Sequence, residues 1–267
     1  MIKRTLRINQ IYNENCLKTM TRMCDKFVDL TITSPPYDNL RDYKGYDFDF
    51  KNIARELFRV TKEGGVIVWV VADATIKGSE TGTSFRQALY FKEIGFNLHD
   101  TMIWEKPGFS AVGALKVRYA PVFEYMFIFS KGNLKTFNPL KDRKVKHPNS
   151  ILSGTIRNKN GTMKRMSGEG KIYGKNGLGQ RYNIWKINTQ TQKQKHPAVF
   201  PEQLANDHII SWSNEGDLVY DPMCGSGTTL KMALLNKRNF IGSEISEEYC
   251  NIARERIIKS CDQNSAK

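Results

Sequence analysis

The sequence predicts an α/β fold, a parallel-type sheet covered by helices on both sides and interrupted by one loop-rich basic insert. Three observations carry this. Residues 66–71, Val-Ile-Val-Trp-Val-Val, form a continuous apolar run of the kind found in strands buried on both faces. Stretches with helical apolar spacing alternate with such runs along the chain, the pattern of a sheet sandwiched between helices. From about 131 to 195 this periodicity stops. Gly, Asn, Lys, Ser and Thr take over, with Gly161, Gly168, Gly170, Gly174, Gly177 and Gly179 as punctuation.

In chain order, residues 27–33 read as a strand that must stop at Pro35-Pro36, because proline cannot donate to a ladder. Ile53, Leu57 and Val60, with Ala54 and Phe58 beside them, predict an amphipathic helix over 50–61, ended by Gly64-Gly65. The 66–71 strand follows, then a helix over 84–94 and strands over 98–104 and 122–129. Beyond the insert, a helix is expected after Pro201, with Leu204, His208 and Ile209 on one face. A short strand at 218–220, a glycine loop, a helix to about Asn236, a strand at 239–244 and a last helix from about Glu247 complete the chain. There is no internal repeat.

Charge is concentrated. Of the chain's net +14, the segment 131–195 holds 16 Lys/Arg against Asp142 and Glu169 alone, while the remainder balances at 25 of each sign. Such a block is the electrostatic footprint of a polyanion partner, most simply nucleic acid, although a solvated loop has the same composition. Five cysteines, at 16, 24, 224, 250 and 261, include no C-x-x-C pair, so neither a disulfide framework nor a zinc knuckle is expected and a reducing cytoplasm is. No signal peptide is expected at residues 1–7, and no apolar run is long enough for a membrane helix. Histidines 99, 147, 196 and 208 lack ligand spacing, so no metal is expected.

Two motifs carry chemistry. The first is strand, Gly225-x-Gly227, helix, an arrangement that lets a ligand approach backbone N–H groups at a helix N-terminus. Leu230 stands where a dinucleotide fingerprint needs its third glycine, and Glu244 closes the next strand, where a carboxylate can accept from ribose hydroxyls. The pair suggests an adenosyl ligand; a tight turn and a surface Glu would look the same. The second is Ser34-Pro35-Pro36-Tyr37 at the carboxyl end of a strand. Two prolines remove two donors and leave carbonyl acceptors, Ser34 adds another acceptor, and Tyr37 offers a flat ring. That set suits an NH2 group held by both hydrogens, with its planar ring stacked.

Together the motifs resemble the amino-methylating DNA methyltransferases, the N4-cytosine and N6-adenine group. Their D-P-F-x-G-S-G-T loop corresponds to Asp221-Pro222-Met223-Cys224-Gly225-Ser226-Gly227-Thr228, and Ser34-Pro35-Pro36-Tyr37 to their [D/N/S]-P-P-[Y/F]. The order, with the glycine loop last, resembles the permuted β class. The resemblance spans nearly the whole chain: residues 11–37 match the usual opening, and Lys195 to Pro201 the segment before the cofactor loop.

The resemblance implies a Rossmann-like sheet that takes S-adenosylmethionine. It implies a catalytic half at 1–130, a basic target-recognition region at 131–195 and a cofactor-binding half at 196–267. Asp221, Met223, Cys224, Gly225, Ser226, Gly227 and Thr228 would hold the methionine moiety, Glu244 the ribose and Ile245 the adenine face, with Asn15 and Cys16 near the adenine edge. Met223 stands for the usual Phe, and Asn15 for the common Asp. Lys159, Lys164, Arg165, Lys171 and Lys175 would contact double-stranded DNA. The implied reaction is direct displacement at an amino nitrogen, with Ser34, Pro35, Pro36 and Tyr37 catalytic. Ser before the prolines leans to cytosine N4, with adenine N6 the alternative. The resemblance admits a restriction endonuclease of the same system as partner without requiring one, and the enzyme would be a monomer or homodimer.

Rival classes fit less of the chain. C5-cytosine methylation needs a nucleophilic cysteine, usually after proline, and no Pro-Cys occurs. A glutamine methyltransferase would place its glycine loop upstream. An RNA methyltransferase would share the charge, whereas a non-catalytic DNA-binding module would need neither motif.

Overall fold

The computed structural model describes residues 6–36, 48–108, 116–189 and 201–265. Two compact units result: Met1–Asn138 with Asn183–Lys267, and Pro139–Tyr182.

The larger unit is built on one eight-stranded sheet. Its strands are β1 (Gln10–Asn13), β2 (Val28–Thr33), β3 (Thr61–Val71), β4 (Asn97–Glu105), β5 (Phe123–Ser130), β6 (Ile184–Lys186), β7 (Leu218–Asp221) and β8 (Asn239–Glu244), in the spatial order β1-β8-β7-β2-β3-β5-β4-β6. All neighbours are parallel except β5, which runs against both β3 and β4. This matches the expected Rossmann-like sheet, with the one strand β5 reversed between β3 and β4. Among the described residues, six helices accompany the sheet: α1 (Cys16–Met20), α2 (Phe50–Val60), α3 (Thr83–Glu93), α4 (Glu202–Trp212), α5 (Thr228–Leu235) and α6 (Glu247–Ser265).

Strand β3 is buried on both faces from Val66 to Val71, as its unbroken apolar run requires. Trp69, Phe91, Phe129, Leu57 and Ile53 pack into the core beneath α2 and α3. The glycines at 64 and 65 do not end α2. The helix stops at Val60 and β3 begins at once with Thr61, whose hydroxyl donates to the Leu57 carbonyl at 2.6 Å. The glycines lie inside β3, within the irregularity that sets Thr61 opposite Val28 but Val66 opposite Leu30. Ile184–Lys186, expected in the loop-rich insert, joins the main sheet beside β4. Trp185 fixes it there, buried and stacked on His208 of α4 at 4.5 Å between ring centroids. The described part of the chain has no helix long and apolar enough to cross a membrane.

The smaller unit is a single antiparallel ribbon folded back on itself. Its pairs are nested: Arg143 opposite Gly179, Ile151 opposite Ile172, and Thr155 opposite Arg165. Backbone bonds from Leu152 N–H to Lys171 O (2.9 Å) and Met166 N–H to Gly154 O (3.0 Å) carry the pairing across the gaps.

Candidate active site

The sheet brings the two motifs together. From β2 the chain moves through α2 to β3 on one side; from β7 it moves through α5 to β8 on the other. The carboxyl ends of β2 and β7 therefore flank the point where strand order reverses, the crevice in which open α/β sheets bind ligands. The register sets Val219 beside Leu30 and Tyr220 beside Thr31. Asp29 pins it: its carboxylate accepts from the Leu218 N–H at 2.9 Å and from Lys62 Nζ at 2.7 Å. Hence Ser34-Pro35-Pro36, leaving β2, and the loop after Asp221 open onto one edge. Pro35 is buried, Ser34 and Pro36 partly so. Tyr37 and residues 195–200 lie outside the described residues.

The loop after β7 is tightly wound. Asp221 accepts from the Met223 N–H at 3.1 Å, and the Gly227 N–H donates to the Cys224 carbonyl at 2.7 Å. Gly227 sits at φ +77° and caps α5 without a side chain. A Cβ there would also lie 2.7 Å from the Ala253 Cβ. The N-terminus of α5 thus follows directly on the loop with no side-chain cap from its N-cap residue, which suits an anionic ligand group. The next strand contributes Glu244, whose carboxylate accepts from the N–H groups of Gly225 (2.9 Å) and Ser246 (2.8 Å). Asn13, paired with Glu244 in the ladder, holds this corner by donating to the carbonyls of Glu244 and Ile245 at 3.0 Å each. Ile245 itself is 42% exposed.

Burial dominates the electrostatics. It pushes the Asp221 carboxyl from 3.8 to about 6, with Glu244 nearby adding to the rise; Thr229 and the Met223 N–H oppose it. Thr33 also opposes it, although its hydroxyl is too loosely placed for a hydrogen bond of ordinary geometry. Burial raises Glu244 as well. Among the thiols, it pushes Cys16 up to about 12 and raises Cys224 and Cys250. None of these three is a thiolate near neutrality, so none is an activated nucleophile.

Other predicted residues have their own roles. Asn15 is the N-cap of α1, its side chain accepting from the Leu17 N–H at 2.8 Å. Cys16 lies beneath it, close enough to Asp221 for the carboxylate to act on the thiol. Ser226 and Thr228 turn their hydroxyls to Arg256 of α6, which also donates to the Ser226 carbonyl at 2.7 Å and to Glu202 at 2.8 Å. Burial alone would raise Glu202, but Lys231 and Arg256 outweigh it and hold it low. This clamp joins α4, α5 and α6 behind the glycine loop. Arg256 gave no signal in the sequence, because a lone Arg on a charged helix has the same text as a solvated one. Lys159, Lys164, Arg165, Lys171 and Lys175 are all exposed in the smaller unit. Among the described residues, no group of three or more His, Cys, Asp or Glu is placed to hold a metal ion.

The chain is similar to known proteins in sequence and in fold. The profile of a family described as DNA methylase, the N6 and N4 methyltransferases, matches residues 28–255. The chain is similar to the orphan methyltransferase M.BamHII of Bacillus amyloliquefaciens, at 58% identity over 244 residues, 87% of this chain and 89% of that one. Among solved structures, it is similar in fold to the PvuII DNA methyltransferase (cytosine-N4-specific). That match has a TM-score of 0.69 at 20% identity over 97% of this chain and 92% of the other. A complex of M1.HpyAVI with SAM matches with a TM-score of 0.63 at 23% identity over 93% and 98%.

Proposed function

Because the chain belongs to the DNA methylase family of N6 and N4 methyltransferases, we propose that it methylates the exocyclic N4 of cytosine within a short site in double-stranded DNA. The donor is S-adenosylmethionine. The observation that carries this reading is the adjacency of Ser34-Pro35 and the Asp221 loop at the reversal point of the sheet. One edge of the crevice suits an amine, and the other suits an amino acid joined to a nucleoside.

The residues fit that donor. The uncapped N-terminus of α5 and the backbone of residues 223–228 suit its carboxylate, and Asp221 its ammonium. Glu244 suits two ribose hydroxyls, and exposed Ile245 an adenine face. When bound, S-adenosylmethionine supplies a sulfonium-activated methyl group. Ser34 Oγ and the Pro35 carbonyl accept the two amine hydrogens, which favours a pyramidal, more nucleophilic nitrogen. Tyr37 stacks the base, which must leave the duplex to reach it. Positioning of this kind contributes roughly 7–11 kcal/mol in well-aligned systems.

Ser34 ahead of the prolines supports cytosine over adenine, and the structural relative named cytosine-N4-specific points the same way. The relative named an orphan methyltransferase supports an enzyme working without a dedicated endonuclease. This reading places the enzyme in the cytoplasm with the DNA, as a monomer or homodimer. Nucleoside mass spectrometry of DNA incubated with enzyme and donor is the test, with N4-methylcytosine the expected product. N6-methyladenine would change the base and keep the amine chemistry, whereas 5-methylcytosine would overturn both.

A further inference from the structure

We propose that the tip of the smaller unit, residues 155–165, enters the DNA major groove, and that Arg157, Met163 and Arg165 on one face of it read base edges. The proposal rests on the DNA-modifying function above and names the part of the chain that would set its sequence specificity.

The tip is a two-stranded ribbon, Thr155–Arg157 against Met163–Arg165, with Thr155 opposite Arg165, Ile156 opposite Lys164 and Arg157 opposite Met163. Side chains alternate between faces. Thr155, Arg157, Met163 and Arg165 therefore share one face, and Ile156 and Lys164 share the other. All six residues are exposed, apolar ones included: Met163 at 59% and Ile156 at 43%. A hairpin with no buried face gains little from packing within its own chain. Its turn is nonetheless closed by hydrogen bonds of its own. The Asn158 N–H donates to the Thr162 carbonyl at 2.7 Å, the Gly161 N–H to Asn158 O at 2.9 Å, and the Thr162 N–H and hydroxyl to Asn160 Oδ1 at 3.1 and 2.7 Å.

Charge and width identify the partner. Residues 155–165 hold Arg157, Lys159, Lys164 and Arg165 and no acidic residue. Two strands about 4.8 Å apart fit a major groove about 12 Å wide once side chains are added. The deep, narrow major groove of A-form RNA does not admit them. Guanidinium groups pair with guanine O6 and N7, and apolar groups such as Met163 fit the thymine methyl. Arg165 makes an exposed contact to Glu169 at 3.5 Å, weak enough to be exchanged for another partner. Lys159 at the turn and Lys164 on the far face suit phosphates, which position the ribbon without reading sequence.

The test begins by mapping the methylated context of the wild-type enzyme, then measures methylation and binding on that site and on singly substituted sites. Arg157→Ala and Arg165→Ala are each expected to reduce discrimination at a particular base position by about 5- to 150-fold. Thermal melting and donor binding should stay at wild-type values. Lys159→Ala is expected to weaken all sequences alike and to lower the log–log salt slope by about 0.9. Duplex RNA is expected to compete poorly. Wild-type discrimination in both arginine variants, or an equal loss on cognate and substituted sites, would overturn base reading by this face. Duplex RNA competing as well as DNA would overturn the major-groove assignment. A wild-type enzyme that modifies no DNA would instead overturn the function itself, and this inference with it.

Discussion

Asp221 does two jobs that pull against each other. It winds the loop through the Met223 N–H, and it places a carboxylate where burial disfavours charge. Unfolded, it ionises near 3.8; folded, near 6. Between these values the unfolded chain has released a proton that the folded one keeps, so stability falls as pH rises from about 4 to 6, and the loss is complete above. Asp221→Asn removes this dependence. From pH 4 to 7 the wild type should therefore lose about 2 kcal/mol relative to the variant in urea unfolding. A constant gap would show that the carboxyl is not shifted. A donor ammonium against Asp221 favours the charged form, so donor binding should release a proton below about pH 6 and tighten as pH rises through it. Calorimetry in buffers of different ionisation heat reads that proton. Asp221→Ala and Glu244→Ala should each weaken donor binding about tenfold or more, the worth of a charged hydrogen bond. Wild-type affinity in both would remove them from the donor site. The motif residues were legible because their chemistry is written in residue type: two prolines, two glycines, an acid at a strand end. Asp29, Asn13 and Arg256 were not, because each acts by reaching an element remote in sequence.

Local patterning made most elements legible, and where it failed the cause is physical. The buried strands and amphipathic helices stand out because one face, or both, must leave water. The ribbon of residues 139–182 looks like loop in the sequence because its strands are two or three residues long and mostly exposed, and so carry no period-2 alternation. The three residues of β6 are too short to show a period, and only the stacking of Trp185 on His208 reveals them. The α5–β8 contact shows how closely these elements fit. A Cβ at Gly242 would overlap Leu230 Cδ1 and press on Cys224 Sγ at 3.0 Å. Gly242→Ala should cost about 1–3 kcal/mol by overpacking and shift the glycine loop, lowering both the melting temperature and donor affinity. Arg256→Ala leaves the crevice lining intact but frees Ser226 and Thr228 from behind. It should raise the donor dissociation constant several-fold, with partial recovery in Arg256→Lys, which restores the charge toward Glu202 but not the fork. If Arg256→Lys matched Arg256→Ala in donor affinity, the charge toward Glu202 would contribute nothing to the clamp.

At the level of the whole chain, the two compact units divide the charge: the smaller holds eleven Lys/Arg against Asp142 and Glu169. Replacing residues 139–182 by a Gly/Ser linker of about ten residues should leave a chain that folds and binds S-adenosylmethionine but has lost most of the salt dependence of DNA binding, at about 0.9 in slope per phosphate contact removed. Retention of the full slope would move the DNA surface elsewhere. The pairing of β2 with β7 also has a consequence in time. Asp29 and Leu218, which seal that pairing, are 189 positions apart, so the crevice closes only when the last quarter of the chain docks between strands already made. Such distant closure slows folding. During synthesis at about 5–20 residues per second, β2 waits roughly 10–40 s for its neighbour to emerge. Until then Ser34 and the prolines face no donor site, and the nascent chain is inert toward the DNA around it.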